Sequence, residues 1–155
     1  FGGFGQQGYG YNVSNLTGEI KRIMGIDRKH TIIIVGAGNI GHALTNFPGF
    51  AETGFEVKAL FDVNEDLIGT EIKGHPVLDV KDMDEYIREN QIDIGVIAAR
   101  RSAAQEIADR MCAAGIRGIW NFVPLDITTS VPIENVHLSE SLSTLSYKIE
   151  HGLLD

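Results

Sequence analysis

The sequence predicts an α/β fold in which a doubly wound parallel sheet is covered by helices on both faces. Three observations predict this fold. Continuous apolar runs such as residues 31–35 (TIIIV) and 93–98 (DIGVIA) are typical of strands that are buried on both faces of a parallel sheet. Segments with helical spacing separate these runs, and this alternation indicates right-handed crossovers between parallel strands. A glycine-rich turn joins the first strand to the first helix.

Each predicted element has its own local signal. β-Branched and aromatic residues favour strands, whereas apolar residues three and four positions apart favour amphipathic helices. The Pro48-Gly49 pair is expected to end the first helix, and Gly115 stands where a left-handed helix cap belongs. The predicted strands are residues 31–35, 56–62, 76–80, 93–98 and 116–122, with a sixth that ends at 136–137, and the predicted helices are 39–46, 82–90 and 102–114.

The two ends of the chain differ from this core. Residues 1–13 contain five glycines among aromatic residues, which predicts a hairpin tail or a mobile loop. Apolar residues then recur near helical spacing between Ser14 and Gly25, which predicts a linking helix. At the other end we expect an amphipathic helix capped by Ser139. Its apolar stripe consists of Leu138, Leu142, Leu145 and Ile149.

Composition limits the classes of protein to consider. The net charge of −8 argues against a nucleic-acid-binding surface in this stretch, because such surfaces are usually basic. There is no apolar run long enough to span a bilayer, so we expect a soluble, cytoplasmic protein. The single cysteine, Cys112, excludes an internal disulfide and fits a reducing compartment. Because the sequence begins with Phe1 rather than Met, we interpret it as part of a longer protein.

A glycine motif carries the main functional prediction. Residues 36–41 (GAGNIG) match G-x-G-x-x-G, follow a buried strand directly and open a helix. In such a motif the first glycine allows a tight turn, the second lets the backbone approach a pyrophosphate, and the third lets helix and strand pack closely. We therefore predict a Rossmann unit that binds a dinucleotide. Its pyrophosphate-binding residues are predicted to be Gly36, Ala37, Gly38, Asn39, Ile40 and Gly41.

Asp62, at the end of the second predicted strand, selects among the cofactors. A carboxylate at this position accepts hydrogen bonds from both ribose hydroxyls and repels a 2′-phosphate, so it favours NAD(H) over NADP(H). It also disfavours coenzyme A, whose adenosine carries a 3′-phosphate on the same ribose. The alternatives are the cofactor domain of an NAD-dependent dehydrogenase, which a substrate domain beyond Asp155 would favour, and a CoA-binding domain like that of succinyl-CoA ligases.

The sequence lacks the parts that a dehydrogenase adds to such a unit. A dehydrogenase needs a second domain or long insertions to hold its substrate, and only about thirty residues follow the fifth predicted strand. The five histidines are scattered without metal-ligand spacing, so we expect no metal site. A catalytic role stays open for His137, but a surface or interface position is favoured, and Cys112 is expected in the core. We therefore predict a domain that binds its cofactor without catalysis.

Six segments match, in order and spacing, a family of known proteins. They are residues 1–11 (FGGFGQQGYGY), 35–41 (VGAGNIG), 61–64 (FDVN), 103–111 (AAQEIADRM), 114–124 (AGIRGIWNFVP) and 134–138 (ENVHL). Through these segments, which run nearly end to end, the chain resembles the Rex family of bacterial redox-sensing transcriptional repressors.

The resemblance implies a homodimer with a winged-helix DNA-binding domain, a Rossmann core and a C-terminal helix swapped between protomers. Residues 1–13 would be a remnant of the winged-helix domain, 14–29 a linking helix, 30–137 the NAD(H)-binding domain and 138–155 the dimerisation helix. Family members repress fermentation and respiration genes when NADH is scarce and leave operator DNA when NADH binds. The alternative for the last helix is packing against its own sheet.

The resemblance also extends the expected cofactor site beyond Asp62 to the ends of other strands. Val63 would flank the adenine. The residues expected in the crevice beyond the fourth strand are Ala98, Ala99 and Arg100. Those expected at the nicotinamide end are Asn121, Phe122 and Pro124.

Several positions depart from the family pattern. Phe47 stands where the family often has an aromatic residue with a hydroxyl, and His137 stands where it has an acidic residue. Leu138 aligns with an aromatic residue that approaches the nicotinamide. Arg100 replaces the proline of a hydrophobic-Pro pair, and Arg101 follows it. An arginine at this carboxyl end of the fourth predicted strand faces the ligand crevice, and three roles are open: contact with phosphate, contact with a partner chain, or exposure to solvent. These departures leave the NAD(H) cradle intact and leave the details of the redox switch open.

Overall fold

The computed structural model describes residues 29–154, in which seven strands form one sheet. The predicted tail and all but residue 29 of the predicted linking helix lie outside the described residues. The strands are β1 (His30–Val35), β2 (Phe55–Asp62), β3 (Glu71–Ile72), β4 (His75–Asp79), β5 (Ile94–Ile97), β6 (Gly118–Asn121) and β7 (Ile133–Asn135). The helices are α1 (Asn39–Thr45), α2 (Gly49–Glu52), α3 (Met83–Asn90), α4 (Arg101–Ala114) and α5 (Leu138–His151), and a 3₁₀ turn, Val80–Asp82, precedes α3.

The strand order is β3-β4-β2-β1-β5-β6-β7, and every neighbouring pair is parallel except β3 with β4. The direction of winding reverses at β1, which has β2 on one side and β5 on the other. In open α/β sheets, ligands bind beyond the carboxyl ends of the strands at such a switch point. The predicted α/β doubly wound class is therefore confirmed, and the turn after β1 lies where a ligand is expected.

The alternating side chains of the central strands fill two cores. On one face, Ile33 and Val35 pack in the same cluster as Met83 of α3 and Met111 of α4. On the other face, the cluster around Ile32 and Ile34 includes Leu60, Val77 and Val96, together with Phe50 of α2. Burial of one such side chain contributes about 1.5–3 kcal/mol, so both faces of the apolar runs stabilise the sheet.

The start of the strands on this second face borders an apolar cavity of about 540 Å³. Rings from four aromatic residues line it, together with aliphatic side chains and Glu134. The aromatic residues are Phe47, Phe50, Phe55 and Trp120. Phe50 lies edge-on to Phe47, with ring centroids 5.0 Å apart, and Trp120 packs edge-on against Phe122 at 4.7 Å.

The last helix is solvent-exposed along its length. Of the residues of α5, only Lys148 is half-buried, and the others are exposed. The stripe residues are exposed by 61% at Leu138, 69% at Leu142, 53% at Leu145 and 68% at Ile149. The predicted amphipathic helix is therefore confirmed, and the described part of the chain leaves its apolar stripe uncovered.

Two local predictions were wrong. The N-cap of α5 is His137 instead of Ser139, and no side chain donates or accepts a capping hydrogen bond there. The sixth strand ends at Asn135, before Val136 and His137. The break predicted at Pro48-Gly49 is confirmed, because α1 ends at Thr45 and Pro48 is the N-cap of a separate short helix, α2, which the sequence did not predict.

Strand β3 was missed because it has only two residues, too few to show a periodic pattern. It pairs with β4 through a tight turn in which Lys73 and Gly74 both have positive φ angles, of 53° and 83°. Within residues 29–154, no helix is long and apolar enough to cross a membrane.

Candidate cofactor-binding site

The first glycine of the motif makes the turn between β1 and α1. Gly36 has a φ angle of +113°, and its N–H donates to the carbonyl of Phe61 at 2.7 Å. A Cβ atom here would overlap the carbonyl oxygen of Ala98 and lie 3.2 Å from the nitrogen of Ala99. Only glycine adopts this conformation without strain and also lets the turn lie against the end of β5.

The other two glycines meet opposite surroundings. A Cβ atom on Gly41 would overlap the carbonyl oxygen of Gly36, so the third glycine lets α1 pack closely against the turn. Gly38 is exposed, and a Cβ atom there would meet nothing within 4 Å. The carbonyl of Gly38 accepts from the N–H of His42 at 2.9 Å, so α1 begins at this point. The loop thus supplies the turn, the open approach and the close packing that a pyrophosphate-binding loop needs.

Asp62 ties this loop to the end of β2. Its Oδ2 accepts from the N–H of Ala37 at 2.8 Å, and its Oδ1 accepts from the N–H groups of Val63 at 2.7 Å and Asn64 at 2.9 Å. The bond to Asn64 has a local signal, because an aspartate commonly accepts from the backbone two residues on. Sequence reasoning missed the bond to Ala37, which joins residues 25 positions apart. A carboxylate has about four lone-pair sites, so Asp62 retains capacity to accept from a hydroxyl. Val63 is 67% exposed beside it.

The end of β5 forms the opposite wall of the loop. The N–H of Ala98 donates to the carbonyl of Val35 at 2.8 Å, and both Ala98 and Ala99 are half-buried. Arg100 follows as the N-cap residue of α4, with φ −65° and ψ 145°. Within residues 29–154, neither Arg100 nor Arg101 forms an ion pair or a side-chain hydrogen bond, so both are solvated in that part of the chain.

The end of β6 is organised by Asn121, which is only 1% exposed. Its Nδ2 donates to the carbonyls of Val123 at 3.0 Å and Leu125 at 3.3 Å and to Oδ1 of Asn135 at 3.0 Å. Its Oδ1 accepts from the N–H of Val123 at 2.9 Å. The amide therefore holds the turn after β6 in place. Of the other residues expected here, Phe122 is half-buried and Pro124 is exposed.

Two side chains of α4 hold the loop that follows this turn. Gln105 exchanges two hydrogen bonds with the backbone of Thr128, donating to its carbonyl at 2.8 Å and accepting from its N–H at 3.0 Å. Sγ of Cys112 lies 3.1 Å from Oγ1 of Thr129. Burial raises the pKa of the Cys112 thiol, but hydrogen bonds from Thr129 and Ser130 outweigh burial and hold that pKa below its usual value. Cys112 is half-buried against this loop.

Within residues 29–154, neither a histidine–carboxylate pair nor a metal-binding cluster lies at this site. Nδ1 of His137 lies 3.7 Å from Oε2 of Glu140, one turn along α5, and both side chains are largely exposed. Within the described range, no group of His, Cys, Asp and Glu side chains is arranged to hold a metal ion. The residues brought together are the glycine loop, Asp62 and the ends of β5 and β6, and this set fits a dinucleotide.

Comparison with known proteins gives close relatives over nearly the whole chain. The redox-sensing transcriptional repressor Rex of Clostridioides difficile (strain 630) is 51% identical over 154 residues, which cover 98% of this chain and 73% of that protein. The protein of the same name from Thermoanaerobacter sp. (strain X514) is 46% identical over 151 residues, which cover 96% of this chain and 67% of that protein.

Solved structures agree with these relatives. RSP, a Rex-family repressor, in complex with β-NADH is 43% identical, with a TM-score of 0.86 over 93% of this chain and 71% of RSP. RSP in complex with β-NAD+ and operator DNA is 45% identical, with a TM-score of 0.88 over 97% of this chain and 70% of RSP.

Two broader likenesses concern the fold. The family of the CoA binding domain matches residues 27–125. UDP-D-quinovosamine 4-dehydrogenase from Vibrio fischeri is 20% identical, with a TM-score of 0.54 over 63% of this chain and 81% of the enzyme. At this identity the likeness shows a shared fold alone.

Proposed function

Because the chain belongs to the Rex family of redox-sensing transcriptional repressors and, over residues 27–125, to the CoA binding domain family, we propose that it senses NAD(H) for a repressor whose DNA binding follows the NADH/NAD+ ratio. In this proposal the chain is the cofactor-binding and dimerisation part, and it acts in the cytoplasm. The observation that carries the proposal is the glycine loop joined to Asp62, in a chain 43% identical to RSP, which was solved with β-NADH.

Each part of the site has a proposed role. The glycine loop binds the pyrophosphate, since its open middle lets the phosphates approach the backbone. Asp62 accepts from the ribose of the adenosine, and Val63 flanks the adenine. The proposed cofactor-binding residues are Gly36, Ala37, Gly38, Asn39, Ile40, Gly41, Asp62, Val63, Ala98, Ala99, Arg100, Asn121, Phe122 and Pro124.

Asn121 differs from the rest in how it acts. Its side chain is buried, and its amide hydrogens are engaged by backbone and side-chain oxygens. We therefore assign it the positioning of the turn that carries Phe122 and Pro124, which border the nicotinamide end. Asp62 likewise has a second role, because its bond to Ala37 fixes the loop that receives the phosphates.

The proposed protein regulates rather than catalyses. In an enzyme, NADH donates a hydride to a substrate or NAD+ accepts one from it, and this transfer requires an acid or base held beside the nicotinamide ring. Within residues 29–154, the histidine–carboxylate pairs are His30 with Asp93, at the start of the strands, and His137 with Glu140, at the start of α5, so neither pair lies at the glycine loop. The bound cofactor is therefore proposed to act as a signal.

The proposed assembly is a homodimer in which α5 packs on the partner protomer, with operator DNA bound through a winged-helix domain. Its support is the uncovered stripe of α5, in which four large apolar residues are more than half exposed. Leaving each of them in water forgoes about 1.5–3 kcal/mol. RSP provides the precedent for operator binding, since it was solved with operator DNA.

Calorimetric titration with NADH, NAD+, NADPH and coenzyme A tests the proposed ligand. We expect tight NADH binding and weaker NAD+ binding. We expect no detectable binding of NADPH or coenzyme A, because Asp62 repels the phosphate that each carries on its adenosine ribose. Asp62→Asn serves as the matched variant, since it keeps the shape and removes the charge. Preferred binding of coenzyme A would contradict the proposal and favour a CoA-binding function, to which the family match over residues 27–125 points.

A second experiment tests the regulatory role. The full-length protein should release operator DNA as the NADH/NAD+ ratio rises, because a ligand shifts an equilibrium only through its different affinity for the two forms. Electrophoretic mobility shift at fixed total nucleotide measures this release. Operator affinity that stays constant at every ratio would overturn the regulatory role while leaving the ligand assignment intact.

A further inference from the structure

Arg100 follows a stretch of chain that packs against the glycine loop. The N–H of Ala98 donates to the carbonyl of Val35 at 2.8 Å, directly before the loop. A Cβ atom on Gly36 would overlap the Ala98 carbonyl, so the two backbones are in contact. Arg100 comes two residues later, at the carboxyl end of β5 and immediately before α4.

The strand order assigns this position to one half of the site. Asp62 ends β2, on one side of β1, whereas Arg100 follows β5, on the other side. A dinucleotide that lies across such a switch point has its two halves over opposite sides of the first strand. If its adenosine ribose meets Asp62, its nicotinamide half extends toward β5 and β6.

The charge of Arg100 has no partner in residues 29–154. Its side chain is exposed and takes part in no ion pair or hydrogen bond there. The first turn of α4 contains no acidic residue, and Arg101 adds a second exposed positive charge. Positive side chains are unfavourable at the start of a helix, where the backbone dipole is also positive. The stability of α4 therefore does not account for Arg100.

We propose that Arg100 is a specificity-determining residue, which disfavours NAD+ relative to NADH by placing a positive charge beside the nicotinamide end of the site. The inference rests on the proposed binding of NAD(H). Both forms have the same pyrophosphate, so attraction of Arg100 to the phosphates strengthens both equally. The rings differ, since the nicotinamide of NAD+ is cationic and that of NADH is neutral, so only NAD+ is repelled by the guanidinium.

The size of this effect follows from Coulomb's law. We take two unit charges about 8 Å apart and an effective dielectric constant between that of a protein surface and that of bulk water. Repulsion between them then lowers an affinity by about three- to tenfold. Salt screens such a pair, with a Debye length of about 10 Å at 0.1 M ionic strength. The NADH preference contributed by Arg100 should therefore shrink as salt is added.

Calorimetric titration of the chain with NADH and with NAD+, for the unaltered protein and for Arg100→Gln, tests the proposal. We expect the ratio of NADH affinity to NAD+ affinity to fall by about three- to tenfold in Arg100→Gln at low salt. Arg100→Lys, which keeps the charge, should retain the ratio. Arg88→Gln is the control, because Arg88 is an exposed arginine near the end of α3, just before β5 begins at the opposite edge of the sheet.

Three results would overturn the inference. An equal loss of affinity for both forms would assign Arg100 to the pyrophosphate, and unchanged affinities would leave it solvated. A change of ratio in Arg101→Gln with none in Arg100→Gln would assign the effect to the neighbouring arginine. Failure of the unaltered chain to bind either nucleotide would instead count against the proposed function, so the two failures are distinguishable.

Discussion

Gly36 and Gly38 belong to one loop but meet different surroundings. Gly36 combines a φ of +113° with contact to Ala98, whereas Gly38 faces open space. Gly36→Ala should therefore lower the free energy of unfolding by about 1–3 kcal/mol, because strain and overlap both oppose the new methyl group. Gly38→Ala should change it by less than about 0.5 kcal/mol and weaken NADH binding. Urea denaturation and calorimetry measure the two effects, and similar stabilities of the two variants would contradict this reading of the loop.

Asp93 ties together the starts of β1, β5 and β6. Its Oδ2 accepts from the N–H of Thr31 at 3.0 Å, and its Oδ1 accepts from Nη1 of Arg117 at 3.1 Å. Burial raises the pKa of the Asp93 carboxyl, but the bonds from Thr31 and Arg117 outweigh burial and hold that pKa below its usual value. The carboxylate thus contributes stability above about pH 4, the pKa of an aspartate in the unfolded chain, and this contribution is lost as the pH falls through the lower folded pKa.

Asp93→Asn should accordingly lower the free energy of unfolding by about 1.5–3 kcal/mol at neutral pH, the range for hydrogen bonds to a charged group. The difference from the unaltered protein should shrink as the pH is lowered toward about 2.5. Urea denaturation at both pH values measures it. A difference that is the same at both pH values would mean that ionisation of Asp93 does not contribute to it.

Single residues also show where sequence reasoning stops. The motif was sufficient to predict the turn at Gly36, since a sharp turn after a buried strand needs a positive φ angle. The sequence did not reveal the bond from Ala37 to Asp62, or the burial of Asn121, because each depends on how loops from separate strands meet. Such contacts are set by tertiary packing, which local patterns do not record.

At the scale of elements, α5 presents an apolar stripe to solvent. Leu142→Glu places a charge in this stripe and should convert the proposed dimer to a monomer, because an unpaired charge is costly to bury in an interface. Ser143→Glu, one residue away on the polar face, should leave the dimer intact. Sedimentation velocity distinguishes the two species. Dimers in both variants would assign dimerisation to another surface.

The loop after β6 is held to α4 by paired hydrogen bonds between Gln105 and the backbone of Thr128. Gln105→Ala should speed amide exchange at Thr128 by about fivefold, since a hydrogen bond contributes about 1 kcal/mol to local stability. Amides of β1, which is buried at the centre of the sheet, are the internal control. Exchange at Thr128 that stays unchanged would mean that Cys112 and its contact with Thr129 suffice to hold the loop.

Helices and strands with a clear apolar periodicity were predictable from the sequence. Elements that form only by pairing with another element were not. The apolar run of β1 and the helical spacing of α4 were read directly, as was the left-handed cap at Gly115, which has a φ of +100°. Strand β3 exists only through its pairing with β4. The N-cap of α5 at His137 instead of Ser139 likewise depends on where β7 ends.

For the molecule as a whole, the proposed dimer makes stability depend on concentration. If α5 packs only on a partner, unfolding is coupled to dissociation, and the denaturation midpoint should rise with protein concentration. NADH should raise the midpoint further, because it binds the folded form only. Thermal denaturation over a hundredfold range of protein concentration measures both. A midpoint independent of concentration would favour packing of α5 against its own protomer.

The cavity at the start of the strands contains an intrinsic fluorophore. Trp120 is the single tryptophan of the chain, and its half-buried indole lines that cavity beside Phe50 and Phe122. Tryptophan emission shifts toward shorter wavelength when water leaves the ring. Any surface that comes to cover this face of the sheet will therefore change the fluorescence of the unlabelled protein, which allows assembly to be followed in real time.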